Sequence, residues 1–166
     1  MVAKHPVRLQ WATENSRPEF NRHPIRSICG KITTLQVCLD TKCLLLQLLH
    51  MHHLPESIKC FLADPVFTFV GMDIHHNITK LCNEYGLACS KMVDIRALAK
   101  TSFPISFHKP GLKTLADEVL GLYMEKPMDV CRSNWEARVF DERQIEYACI
   151  DAYASCRIGA RLLDGN

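Results

Sequence analysis

The chain has 166 residues, 48% of them hydrophobic, and its 20 basic and 18 acidic side chains leave a net charge of +2. That size and apolar content fit a single domain over residues 1–166 with a full core. The charge balance excludes a strongly electropositive nucleic-acid binder, while leaving room for a local basic stripe.

The longest apolar stretch, "CLLLQLLH", is interrupted by Gln47 and is too short to cross a bilayer, so no membrane partner is expected. The N-terminal "MVAKHPVRLQW" lacks the long apolar core of a secretory signal. It does carry basic residues and no early acid, which leaves a weak organelle-targeting reading. Nine cysteines are present and none forms a CxxC pair. An odd number of thiols inside mostly apolar patterns reads as reduced, buried small hydrophobes, and so as a nuclear or cytoplasmic protein.

In chain order, "PVRLQW" (6–11) alternates apolar and polar residues and predicts a strand. Residues 12–30, rich in Asn, Ser, Pro and charge, predict a long loop. "KITTLQVCLDTKCLLLQLL" (31–49) predicts two strands joined at Leu39-Asp40-Thr41. Pro55 and Glu56 open a short helix over 55–64. "PVFTFVGM" (65–72) predicts a buried strand, and "HHNITKLCNEYG" (75–86) a helix closed by Gly86. A short strand over 89–94 precedes a helix through "IRALAKTS". "GLKTLADEVLGLYM" (111–124) places Leu112, Leu115, Val119 and Leu122 on one helical face. Residues 125–140 predict a connector. A long helix fills 141–163, its Asp141 and Gln144 spaced as a capping box. Strand, hairpin, helix, strand, helix, strand and final helices predict an α/β domain with a mixed sheet.

On the last helix, Tyr147 and Asp151 are four apart and share one face. The stretch "SNWEARVFDERQIEYACIDAYASCRIG" resembles the C-terminal end of the Werner-type 3′–5′ exonuclease domain, a member of the DEDDy group of the RNase H-like fold, its plant members in particular. "TLQVCLDTKCLLLQLLH", "FLADPVFTFVGMDIHHNITKL", "GLKTLADEVLG" and "KPMDVCRSNW" resemble successive segments of the same domain, in order over residues 6–163. The resemblance implies a mixed five-stranded sheet flanked by helices. It also implies a site of four carboxylates that holds two divalent cations, Mg or Mn, with the tyrosine orienting the attacking water.

Mapped residue by residue, that site is degenerate. The family's D-x-E-W falls on "RLQW", so Arg8 stands for the Asp and Gln10 for the Glu, with Trp11 retained. The Asp of the helix motif falls on Asn77, with Lys80 and Leu81 retained. Tyr147 and Asp151 alone match. Aligning Asp40 and Lys42 of "LDTKC" to the D-x-E strand instead leaves the fold one central strand short, and the Glu is still lost. At the four mapped metal-ligand positions the charges of Arg8 and Asp151 cancel, and arginine does not give up its proton. No metal cofactor is therefore expected. Arg8 is expected to fill the space of a cation and to pair with Asp151.

A rewired transition-metal site from Asp73, His75, His76 and Glu14 is the less favoured reading. The commoner one makes the histidines an exposed first turn. His50, His52 and His53 read as a polar loop. Trp135, Arg132, Lys126 and Lys109 match places near a nucleic-acid path. A tryptophan there is as easily a packing anchor, and the cations as easily solvated surface.

The leading expectation is a pseudo-exonuclease that binds a protein partner, an active family member or single-stranded nucleic acid. The alternatives are a weak or rewired metal-dependent exonuclease on DNA or RNA ends, and a dedicated single-strand binder.

Overall fold

The computed structural model describes residues 31–102 and 110–164, together with the backbone of residues 8–12. The expected loop at 12–30 falls almost wholly outside the described residues, as do Glu14 and Lys109.

Three antiparallel strands come first: β1 (Arg8–Ala12), β2 (Thr34–Leu39) and β3 (Lys42–Leu46), in the order β1-β2-β3. The turn between β2 and β3 is Asp40-Thr41, and Asp40 takes a positive φ of 53°. Asp tolerates that region because its short polar side chain bonds locally. A 3-10 turn at Leu48–His50 leads to α1 (Glu56–Ala63), β4 (Phe69–Gly71), α2 (Ile74–Tyr85), β5 (Met92–Asp94) and α3 (Ile95–Ser102). The chain finishes with α4 (Leu112–Leu120), α5 (Met128–Cys131) and α6 (Glu142–Asp164).

Five strands are present, and β1 lies beside β4. The hydrogen-bonded ladders, however, divide them into a three-stranded antiparallel sheet and a parallel β4–β5 pair. The mixed α/β arrangement of five strands is thus present among the described residues, its ladders forming two groups side by side.

Alternation along β4 splits the core. Phe69 faces one apolar cluster with Leu35, Leu62, Ile74 and Leu81, while Val70 faces another with Ile95, Leu115, Ala116 and Ile158. A strand buried on both faces is what a sheet covered by helices on both sides requires. Gly159 of α6 meets Val70 so closely that an added Cβ there falls 2.7 Å from Val70 Cγ2.

Three predicted elements are shorter than their sequence patterns. The strand expected over 65–72 starts only at Phe69, because Asp64 Oδ1 accepts from the Val66 amide at 2.9 Å and folds the chain into a turn. The strand expected over 89–94 starts at Met92, because Ser90 is drawn to the end of α1 by bonds to Leu62 and Asp64 carbonyls. The helix expected over 111–124 ends at Leu120. Gly121, at φ 64°, donates to the Asp117 carbonyl at 2.8 Å and turns the chain away. Leu122, placed by its spacing on the buried face, is consequently 43% exposed. The connector at 125–140 contains a helical turn, α5, that carries no sequence period long enough to detect.

One side chain starts two helices. Asp94 Oδ1 accepts from the amides of Arg96 and Ala97 at the head of α3, and its Oδ2 accepts from the Ile74 amide at the head of α2. Asp73, at the start of α2, makes no capping bond of its own and sits at a positive φ of 49°.

Candidate active site

The α6 N-terminus is fixed by the expected capping box. Asp141 Oδ1 accepts from the Gln144 amide at 2.8 Å, and Gln144 Oε1 accepts from the Asp141 amide at 3.1 Å. The Gln144 side-chain amide then donates to Ser133 Oγ and to the Asn134 carbonyl, which ties the "SNW" loop to the helix. Tyr147 and Asp151 follow one and two turns further along.

Asp151 is nearly buried, with its side chain 13% exposed, and Lys126 Nζ donates to its Oδ2 at 2.9 Å. Burial pushes the Asp151 carboxyl above the ordinary carboxylate range, and the Lys126 ammonium pulls the other way without cancelling it. Lys126 Nζ also stands 5.6 Å from the Tyr147 ring centroid. The Tyr147 hydroxyl is itself pushed up, chiefly by burial, then by the Asp151 charge and a hydrogen bond with the Cys131 thiol. Tyr147 packs on Trp135 at 5.9 Å between ring centroids, and beside it lies a cavity of about 200 Å³ lined by Glu125, Pro127, Val130, Glu146 and Ile150 among others.

Lys126, expected along a nucleic-acid path, is the counter-ion of Asp151; the Arg8 side chain, expected to pair with Asp151, lies outside the described residues. Trp135 is 4% exposed, stacked edge-on against Phe140 at 5.3 Å, and donates from Nε1 to the Cys131 carbonyl. Its faces are covered, so it is a packing anchor rather than a base-stacking platform. Arg132 remains exposed.

The register of β1 sets Arg8 opposite Cys38 and Gln10 opposite Gln36. Cys38 belongs to the sheet face that α6 covers, since it packs on Ala152 and Cys156. Gln36, 3% exposed, carries an Oε1 with no hydrogen-bond partner among the described residues. Asn77 is 6% exposed on α2, and its side-chain amide donates to the Met72 carbonyl at 3.1 Å.

Of the rewired metal set, Asp73, His75 and His76 are not grouped, and Glu14 lies outside the described residues. His75 and His76 are exposed on the first turn of α2, and Asp73 is paired with Arg96 at 2.6 Å. His50 bonds to the Glu136 carbonyl at 2.9 Å, while His52 and His53 face solvent. Among the described residues no three His, Cys, Asp or Glu side chains are grouped to hold a metal ion. Asp151 already has an ammonium against it, and Asn77 spends its amide on a backbone carbonyl.

The helix-flanked strands, with Tyr147 and Asp151 on the last helix, form an RNase H-like fold of the kind found in exonuclease domains. The 3′–5′ exonuclease family model matches residues 19–164, and the chain belongs to that family. It is 29% identical over 150 residues to a 3′–5′ exonuclease of Arabidopsis thaliana, an alignment covering 89% of this chain and 50% of the relative. The fold is shared with Escherichia coli RNase D at a TM-score of 0.73, 23% identity, and 96% and 39% coverage of the two chains. It is also shared with Brucella melitensis NrnC at a TM-score of 0.75, 20% identity, and 96% and 72% coverage. NrnC has further been solved with bound Mg²⁺ and bound to pGG. The chain thus spans half of its Arabidopsis relative.

Proposed function

We propose that this chain is a noncatalytic member of the 3′–5′ exonuclease family that acts by binding. The observation that carries this reading is the Lys126–Asp151 pair, an ammonium 2.9 Å from the one carboxylate that matches the family's ligand set. The mapped replacements Arg8, Gln10 and Asn77 point the same way, because hard divalent cations need anionic oxygen ligands to offset their charge. With Lys126 included, the mapped cluster carries a net positive charge, the opposite of what two divalent cations need. The residues do not fit Mg or Mn, and no metal-dependent step is assigned to them.

The binding partner in this reading is a protein, an active family member included, or single-stranded nucleic acid, in the nucleus or cytoplasm. Arg132 is an exposed cation and supplies one phosphate contact for the nucleic-acid case. The fold alone does not choose between these partners.

The test is an end-labelled DNA or RNA strand incubated with Mg²⁺ or Mn²⁺. The reading expects the strand to stay intact with the natural chain and with Asp151→Ala alike. Shortening of the strand that disappears in Asp151→Ala overturns it and establishes a weak or rewired exonuclease. Salt-dependent retention of an intact oligonucleotide identifies nucleic acid as the bound class; no retention at low salt leaves a protein.

A further inference from the structure

The nine cysteines of the sequence are not uniformly buried hydrophobes. Eight fall among the described residues and none of them is in a disulfide, yet only Cys38 and Cys156 are fully buried. Cys60 and Cys82 are exposed and stand apart. Four others meet where the β2–β3 hairpin lies under α6. Cys38 packs with Cys156 and Ala152, with Cys43 against them, and Cys43 Sγ donates to the Cys149 carbonyl at 3.7 Å. The Cys38 thiol donates to the Asp40 carbonyl at 3.6 Å, and the Cys156 and Cys43 sulfurs lie close enough to perturb it.

Within this group the backbone singles out one pair. Cys38 and Cys43 are direct partners across the hairpin, next to Leu39 and Lys42, which close the turn. By the alternation of an antiparallel ladder, the pair after the closing pair is the non-hydrogen-bonded one, with Cα atoms about 4.5 Å apart and side chains at their nearest. A disulfide accepts Cα separations of about 4.4–6.8 Å. Cys43 is half-buried and reachable from solvent, whereas Cys38 is 0% exposed. No three of these thiols are grouped as metal ligands.

We propose that Cys38 and Cys43 form a reversible disulfide site, entered at Cys43 by a small-molecule disulfide of the glutathione type. The Cys43 thiolate attacks one sulfur of the disulfide, forming a mixed disulfide at Cys43 and releasing one glutathione thiolate, which takes up the proton Cys43 gave. Cys38 then loses its proton and attacks Cys43 Sγ. The Cys38–Cys43 bond forms, the mixed disulfide breaks, and a second glutathione thiolate leaves with that proton. Two protein thiols are oxidised and one glutathione disulfide is reduced to two thiols. The neighbouring Cys156 sulfur, then burial and Cys43, hold the Cys38 thiol far above its ordinary range, which makes it the second reactant and not the first. The product lies on β2 directly opposite Arg8, one strand from the mapped site.

The sequence provides its own readout, because Lys42 separates the two cysteines. The full chain is exposed to glutathione disulfide, its remaining thiols are alkylated, and it is digested with trypsin without reduction. The expected product is peptide 32–42 joined to peptide 43–59, separated again by dithiothreitol. In Cys38→Ser a persistent glutathione adduct at Cys43 is expected; in Cys43→Ser no adduct or link reaches Cys38. The link is expected to form faster in the folded chain than in urea. Peptide 43–59 joined instead to 144–157, which carries Cys149 and Cys156, overturns the assignment. So does alkylation of both Cys38 and Cys43, or an equal rate in urea, which makes the short spacing and not the hairpin register responsible. Bound zinc that protects these thiols until a chelator removes it also overturns it.

Discussion

Lys126 Nζ lies 2.9 Å from Oδ2 of Asp151, so the carboxylate on α6 brings its counter-ion from the loop between α4 and α5. A charge this far from water is tolerated only when paired. Removing the cation in Lys126→Ala strands the carboxylate. With Lys126 itself 29% exposed, the expected cost is below that of a fully buried pair, about 1–3 kcal/mol. Urea midpoints at constant slope measure it, and Lys126→Arg should recover most of the loss.

The pH dependence follows from the direction of the Asp151 shift. Its folded pKa is raised above its unfolded value, so the native state binds more protons in the window between them. The stability it contributes is full below the unfolded value of about 3.9 and is lost as pH rises through the folded value. Asp151→Asn should flatten that part of the stability curve; a stability that rises in the natural chain over the same window and stays unchanged in the variant contradicts the assignment.

Restoring the mapped carboxylates requires more than the three obvious changes. Arg8→Asp, Gln10→Glu and Asn77→Asp rebuild the anionic set but leave the Lys126 ammonium against Asp151. A unit charge at contact near a protein surface is worth a few kcal/mol. Adding Lys126→Ala should therefore strengthen Mn²⁺ binding at least about tenfold over the triple variant, as read by calorimetric titration. Equal affinities would show that Lys126 is not the obstacle.

Asp94 carries the starts of both α2 and α3, through three backbone amides. Asp94→Ala should destabilise the fold by about 2–3 kcal/mol, the sum expected of two lost caps. Asp94→Asn, which keeps an oxygen acceptor, should cost less. Hydrogen exchange should show the first turns of both helices opening together, where a loss confined to α3 would rule out the shared role.

Gly159→Ala drives a methyl group into Val70. Overpacking of this kind costs about 1–3 kcal/mol. Pairing it with Val70→Ala should recover part of that loss, an interaction visible in a double-mutant cycle.

The sequence by itself determined the element order, because apolar spacing and capping residues act locally. The Asp141–Gln144 box, the Gly86 stop and the Asp40-Thr41 turn were all legible, since each is decided within a few residues. The residues at the positions mapped to the family's site, Arg8, Gln10, Asn77, Tyr147 and Asp151, were legible too, as residue identity needs no coordinates. Only the tertiary structure decided that Lys126, 25 residues from Asp151, is its partner, that Asp94 serves two helices, and that Trp135 is covered. Those facts depend on which loop lies over which helix, and that placement is set by burial of the two apolar clusters across the strands. Burial has no period in the sequence beyond the element that carries it. The Tyr147–Asp151 spacing on α6 was therefore legible in the sequence, while the ammonium placed against Asp151 became visible only in the fold.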